Sequence, residues 1–400
     1  MNSIKTLFSI VVLIVICQIS FAQKQTLFID KDFNAVMQQA KLEKKPVILM
    51  FYASWCAHCN KMKNEVFINQ DVINFYTQNY ICIASDIEST EGKLLREKLK
   101  NQLIVKSFPT FCYFDDNQNL TNCITGEFKS EEFIKEGVDN LNEANHLQNV
   151  KSSFEKEVSN YDKCFSYILM TKRIGFNPTE ITQKYLKTVA ANNYYTEENW
   201  RLIANGILDF DAPEFIDLVK NKAKFEKVVS KKRVEKKINF VINDNFADYI
   251  TQNDTVTFNK NRKIAANFKL REIDSLLFHQ DLSLYERTYK WNEYNSVLEQ
   301  NMANFGLKDA QFINNVCANY FIYISDKKML ENAVSWEKTA LELNPSLDKY
   351  VLISNLLLKN KDYKQGIQYA TKGKEFGKSL GFNTTEIQNV LDELIAKSKK

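Results

Sequence analysis

Glycine and proline are scarce, with 10 and 5 residues in a chain of 400. Strand-rich folds need many tight turns, and these two residues supply the backbone conformations that turns require. The shortage argues against an all-β fold and predicts long helices joined by short connections. Histidine is also rare: His58, His146 and His279 are scattered, and no second cysteine pair has metal-ligand spacing, so a zinc site is not expected. From about residue 146 onward there is no Gly-rich phosphate loop, no paired carboxylate motif and no serine-type nucleophile motif.

An apolar fraction of 44%, with 28 Phe and 18 Tyr, supports hydrophobic cores, and the length allows two or three domains. Lys5, the apolar stretch 7–17 and Ser20-Phe21-Ala22 have the order of a cleavable export signal, the stretch being short for a membrane span. The mature chain is expected to begin at Gln23, in the periplasm or secreted. Cys17 follows Ile14-Val15-Ile16 and not the small residues of a lipid-attachment site, so a lipoprotein is not expected. Cleavage would remove Lys5 and no acid, lowering the formal charge of +4 by one, and that balance names no partner. The basic run 231–237 is interleaved with Val228, Val229, Val234 and Ile238, the pattern of a helix with one solvated face. Nucleic acid is not an expected partner.

Beyond the leader seven cysteines remain, an odd number that cannot pair completely within one chain. Cys82, Cys164 and Cys317 lie in apolar contexts and read as small core residues. Cys112 and Cys123 lie symmetrically about Asn117-Gln118, so a hairpin would set them opposite each other. A directly opposed strand pair is expected to be a poor disulfide site unless the strands are distorted. Trp55-Cys56-Ala57-His58-Cys59 follows the apolar run Pro46-Val47-Ile48-Leu49-Met50-Phe51-Tyr52. A Cys-x-x-Cys pair at a strand-to-helix turn is the minimal apparatus for thiol-disulfide exchange.

The pattern predicts strands at 26–29, 46–52 and 80–84, and helices at 33–42, from the Cys pair onward, at 72–79 and at 92–101. A hairpin of 109–114 with 120–125 follows, then a helix with Ser130 as its N-cap and Glu131 and Glu132 in its first turn. This order makes a mixed sheet flanked by helices. Together with Lys45-Pro46, Trp55-Cys56-x-x-Cys59 and Phe108-Pro109-Thr110, about fifty residues past the pair, it resembles the thioredoxin superfamily, and within it an exported bacterial branch. The resemblance covers about 23–145 and implies an α/β thioredoxin-like domain.

The resemblance implies that Cys56 sits at the first turn of a helix as the attacking, exposed sulfur, its thiolate stabilised by backbone N–H groups and the helix dipole. Cys59, one turn deeper, would resolve the mixed disulfide. His58 and Trp55 would tune the couple. Cys-Ala-His-Cys is similar to the Cys-x-His-Cys pairs of disulfide isomerases and periplasmic oxidases, which implies a potential nearer about −180 or −120 mV than about −270 mV. A cis peptide at Phe108-Pro109 would face the pair, with these residues binding the substrate backbone. No cofactor is implied beyond the Cys56–Cys59 disulfide, and no metal. The buried acid that shuttles protons in many relatives is replaced by Met50, and neither Glu65 nor Asp86 clearly substitutes.

Beyond residue 146 the pattern is helical almost without interruption. Asn332 to Pro345, with small residues at Ala333 and Ala340, resembles the second helix of a tetratricopeptide repeat. Asp362-Tyr363-Lys364-Gln365-Gly366-Ile367 resembles another, and Ala333 to Gly366 and Trp336 to Tyr369 are each 33 residues apart. Trp200-Arg201-Leu202-Ile203-Ala204 is a weak echo. The expected organisation is a signal peptide at 1–22, the thioredoxin-like domain at 23–145, a helical region at 146–305, and tetratricopeptide-like hairpins with a capping helix at 306–400. The expected function is thiol-disulfide exchange with protein substrates in a bacterial envelope, the helical region recruiting clients and a membrane-bound electron carrier being a candidate partner. The alternative is a redox-responsive scaffold whose helical repeats carry the function.

Overall fold

The structure is a computed structural model that describes residues 27–399. Lys5, Cys17, Ser20-Phe21-Ala22 and the expected start at Gln23 lie outside the described residues. Among the described residues no helix is long and apolar enough to cross a membrane. The chain divides into two compact units between Val234 and Glu235.

In the first unit, β1 (Ile29–Asp30), β2 (Val47–Tyr52), β3 (Ile81–Asp86), β4 (Thr110–Phe114) and β5 (Leu120–Thr125) form one sheet in the order β1-β3-β2-β4-β5. β3 runs parallel to β1 and β2, whereas β4 is antiparallel to β2 and β5, so the sheet is mixed. β2 lies at its centre and is apolar at every position without alternation, as a strand covered on both faces requires. β3 extends two residues past its expected end at Ala84, because pairing with β2 continues to Tyr52 opposite Asp86.

The helices of this domain are α1 (Phe33–Glu43), α2 (Ala57–Lys61) continued by a π turn (Met62–Val66), α3 (Gln70–Asn79), α4 (Thr90–Leu99) and α5 (Ser130–Leu141). Side-chain caps set several starts. The Asp32 carboxylate accepts from Ala35 N–H, Asn69 Oδ1 from Val72 N–H, and Ser89 Oγ from Gly92 N–H. The Asn69 cap is why α3 begins two residues ahead of the expected Val72. At α5 the expectation fails: the N-cap is Lys129 and Ser130 is the first helical residue. The Glu132 carboxylate reaches back to accept from Lys129 N–H at 3.0 Å, fixing the start one residue earlier. Between sheet and helices lies an aromatic core in which the Phe133 ring meets Phe111 at 4.8 Å and stacks on Tyr76 at 4.5 Å.

The helices Leu147–Lys156 and Tyr161–Arg173 pack against β5, the outer strand of the hairpin. That cover removes an exposed sheet edge and buries Thr121 and Asn122. Ile104 N–H donates to Ile174 O at 2.8 Å, and Gly175, with φ of 85°, lets the chain turn against the Ile104 carbonyl. The rest of the described chain is helical. In the helix Lys231–Thr251, Val234 and Ile238 are buried while Lys231, Lys232, Arg233 and Lys236 are exposed, the expected solvated face. Lys237 departs from it, being buried with its ammonium 5.7 Å from the Phe240 ring. Near the carboxyl end, Ala310–Tyr323 packs on Lys327–Leu343, and Leu347–Lys359 on Tyr363–Ser379, before the final helix Thr385–Ser398. Small residues allow the close approaches: a Cβ on Gly373 would lie 2.5 Å from Tyr350 Cβ. Cys82, Cys164 and Cys317 are buried as single thiols.

Candidate functional site

β2 delivers the chain to Ala53, whose carbonyl accepts from Cys56 N–H at 3.1 Å, closing the turn before α2. Cys56 is the N-cap of α2, with φ −73° and ψ 107°. The position normally filled by Ser, Thr, Asp or Asn oxygen is filled here by sulfur: Cys59 N–H donates to Cys56 Sγ at 3.1 Å. Cys56 and Cys59 form a disulfide with Cα atoms 5.2 Å apart. The helix start therefore points the Cys59 N–H at Cys56 Sγ, an arrangement that favours a thiolate once the bond is reduced.

One expectation needs correction. Cys56 is not an exposed sulfur: 5% of the residue is accessible and it belongs to the domain core, while Cys59 is fully buried. Capping turns the Cys56 side chain back over the helix start and away from solvent. The order of access still favours Cys56. Trp55 carries the exposure, at 66%, and its Nε1–H donates to Glu88 Oε1 at 2.8 Å. The Phe108-Pro109 bond is cis. Phe108 meets the Trp55 ring edge-on at 6.2 Å, which brings this segment beside the cysteine motif. Pro109 is buried, and its carbonyl accepts from Gly126 N–H at 2.9 Å.

His58 is exposed and faces Glu127. Its Nδ1 lies 3.0 Å from Glu127 Oε2, and because a carboxylate only accepts, Nδ1 carries the proton. Glu127 Oε1 takes a second charge-assisted bond from Lys61. These bonds, Lys61 first and His58 second, hold the Glu127 carboxyl below the usual carboxylate range, and Glu127 in turn raises Lys61. His58 Nδ1 is thus engaged by Glu127 and not by the Cys56 sulfur. The contact that the Cys56 sulfur receives is from Cys59 N–H. Glu127 and Lys61 were not legible as site residues: Glu127 lies 69 residues past His58, and only the sheet brings them together.

Met50 is fully buried in β2, opposite Ala84 and Phe111, so this position carries no acid. Asp86 Oδ1 is engaged by Glu88 N–H, and Glu65 is exposed beside Lys61. Half-buried Lys63 sits with Nζ 3.7 Å from the Tyr52 ring centre; burial lowers its pKa and the Asp86 charge partly restores it. Among the described residues no cluster of three His, Cys, Asp or Glu could hold a metal ion.

Comparison with known proteins bears on the first part of the chain. The oxidised C-terminal domain of DsbD from Neisseria meningitidis, a crystal structure, is similar at 23% identity, covering 28% of this chain and 98% of that one with a TM-score of 0.24. Protein disulfide-isomerase A5 of Bos taurus is 28% identical over 91 residues, 23% of this chain and 16% of that protein. The thiol:disulfide interchange protein DsbD of Campylobacter jejuni (strain RM1221) is 26% identical over 116 residues, 28% of this chain and 20% of that protein. The chain thus spans a fifth or less of the length of these two curated relatives. Residues 33–139 match the family model of a thioredoxin-like domain. With the five-stranded mixed sheet and the Cys56–Cys59 disulfide, the protein is a thioredoxin-like domain followed by an all-helical region.

Proposed function

We propose that this protein is a thiol-disulfide oxidoreductase acting on protein substrates. The observation that carries the reading is the Cys56–Cys59 disulfide at the start of α2, with Cys59 N–H on Cys56 Sγ. In the reducing direction the Cys56 thiolate attacks one sulfur of a substrate disulfide, forming a mixed disulfide and releasing the other substrate sulfur as a thiolate. The Cys59 thiolate then attacks Cys56 Sγ, expelling the second substrate thiolate and restoring the Cys56–Cys59 bond. Two electrons pass to the substrate; oxidation is the reverse. Trp55 and Phe108 form the aromatic border of the site, Phe108 and Pro109 offer backbone to the substrate, and His58 with Glu127 and Lys61 sets the local field. The reaction needs no cofactor beyond the cysteine pair.

We place this chemistry in the bacterial cell envelope, reached through the leader at 1–22, with the domain at 23–145 catalytic and the helices at 146–305 and 306–400 recruiting clients. Repeat-like spacing of Ala333, Ala340, Gly366 and Gly373 favours a peptide-binding role for the last segment. A membrane-bound electron carrier would supply or remove the electrons. The test is substrate trapping: a Cys59→Ser variant is expected to accumulate mixed disulfides with protein substrates, and Cys56→Ser to accumulate none. Equal trapping by both variants, with no insulin reduction or disulfide reshuffling by the parent, would overturn the reading. A second reading, a redox-responsive scaffold, draws on Met50 in place of the acid; it gains if Cys56→Ser with Cys59→Ser leaves the biological role intact.

A further inference from the structure

Cys112 on β4 and Cys123 on β5 are paired across the hairpin and fully buried as free thiols, the Cys123 thiol donating to Cys112 Sγ at 2.7 Å. Whether such a pair can bond depends on its place in the ladder. Antiparallel pairs alternate between hydrogen-bonded and non-hydrogen-bonded, the latter with Cα atoms only about 4.5 Å apart. Gly126 N–H donates to Pro109 O, so Pro109 and Gly126 are a hydrogen-bonded pair. Counting along the register, Phe111 with Ile124 is hydrogen-bonded, and Thr110 with Thr125 and Cys112 with Cys123 are not. Two contacts agree. Thr110 Oγ1 and Thr125 Oγ1 approach to 3.0 Å, and Cys123 N–H donates to the Asn122 side chain instead of to β4. A Cα separation of about 4.5 Å falls inside the window of about 4.4–6.8 Å that a disulfide spans. The geometric objection to an opposed strand pair therefore does not apply here.

We propose that Cys112 and Cys123 form a second disulfide of the thioredoxin-like domain, a structural clasp on the hairpin whose open end carries Pro109 on one strand and leads into Glu127 on the other. Cys112 lies three residues after Pro109, and Cys123 four before Glu127. The clasp fixes the register between the substrate-facing proline and the carboxylate that holds His58 and Lys61. The bond forms by exchange with a small-molecule disulfide. One cysteine thiolate attacks it, releasing one thiolate and leaving a mixed disulfide; the other cysteine thiolate attacks its partner's sulfur and releases the second. The two cysteines lose two protons and two electrons, and one oxidant disulfide becomes two thiols. Burial and the neighbouring Cys112 push the Cys123 thiol well up, so the exchange takes place before β5 is covered.

The proposal is independent of catalysis by Cys56 and Cys59, and one digest reads the two couples separately. Cys112 and Cys123 share the tryptic peptide between Lys106 and Lys129, which contains neither Cys56 nor Cys59. The full chain is reduced, denatured, refolded with glutathione disulfide, and treated with N-ethylmaleimide in denaturant before digestion. The expected peptide carries no maleimide and is lighter than the dithiol by two hydrogens. A peptide carrying two maleimides, or glutathione on either cysteine, overturns the proposal. A second measurement uses a Cys56→Ser, Cys59→Ser background, in which the Tm is expected to be higher after oxidative than after reductive refolding. Adding Cys112→Ser and Cys123→Ser should abolish the difference, and no difference in the parent background counts against the clasp.

Discussion

Glu337 allows a prediction whose sign and size both follow from the structure. It lies in the helix Lys327–Leu343, fully buried, and neither carboxylate oxygen has an N–H or O–H partner. Burial pushes its pKa from 4.5 up to about 7, with the Cys317 thiol and the Lys349 ammonium pulling part of the way back. Lys349 is itself buried, its Nζ 3.2 Å from Ser346 Oγ. A carboxyl with a folded pKa above its unfolded value binds more protons folded than unfolded, so stability falls as pH rises between the two values. The contribution is complete below about pH 4.5 and is lost by about pH 7. At about 1.4 kcal/mol per pKa unit, this interval corresponds to about 3 kcal/mol, roughly three-hundredfold in the opening equilibrium.

Glu337→Gln keeps the shape and removes the charge. Its amide carries the same unsatisfied polar character as a protonated carboxyl, so near pH 4 it should match the parent, and near pH 8 it should exceed it by about 3 kcal/mol. Hydrogen exchange read by mass spectrometry on peptides from Ala310–Tyr323 and Lys327–Leu343, corrected for intrinsic exchange rates, isolates this hairpin from the rest of the chain. Parallel pH profiles for parent and variant, or a variant less stable at high pH, would refute the reasoning.

Three further outcomes are expected. Glu127→Gln removes the counter-charge from Lys61 and His58 beside α2, so the Cys56 thiolate should be favoured and its pKa should fall, read by thiolate ultraviolet absorbance. Because Glu127 is held below the usual carboxylate range, the parent keeps this contact at neutral pH and loses it only as pH falls through that lowered value; an unchanged or raised Cys56 pKa contradicts the assignment. Gly175→Ala forces a Cβ to 2.1 Å from Ile104 O at a φ of 85°, and should cost about 1–3 kcal/mol in denaturant unfolding of the first unit, whereas a neutral result would discount the turn. Glu88→Gln weakens the bond that holds Trp55 Nε1, and should change the near-ultraviolet circular dichroism of the indole with little change in stability, since Glu88 is exposed.

The parts of the site that a local pattern encodes are legible in the amino-acid sequence. The apolar run at 46–52 becomes β2 because every side chain in a doubly covered strand must be apolar, and Cys-x-x-Cys at its end meets a helix start because three residues make one turn. The hairpin register is visible in the symmetry of Cys112 and Cys123 about Asn117-Gln118. Helix starts are less legible: Lys129 and not Ser130 caps α5, since a reach-back from Glu132 outweighs the local preference for a hydroxyl.

Sequence alone therefore determined that a Cys-x-x-Cys pair sits between an apolar strand and a helix, ahead of a Phe-Pro-Thr segment and a long helical region. These properties depend on residues a few positions apart, where covalent geometry and hydrophobic period act. Tertiary structure alone decided the rest. It gave His58 and Lys61 their shared acid, gave Trp55 its bond to Glu88, turned Cys56 inward over the helix start, and set Cys112 and Cys123 in a non-hydrogen-bonded pair on a strand whose edge is covered. Such contacts join residues far apart in the chain, and their partners are chosen by the sheet order and by the helices packed on it.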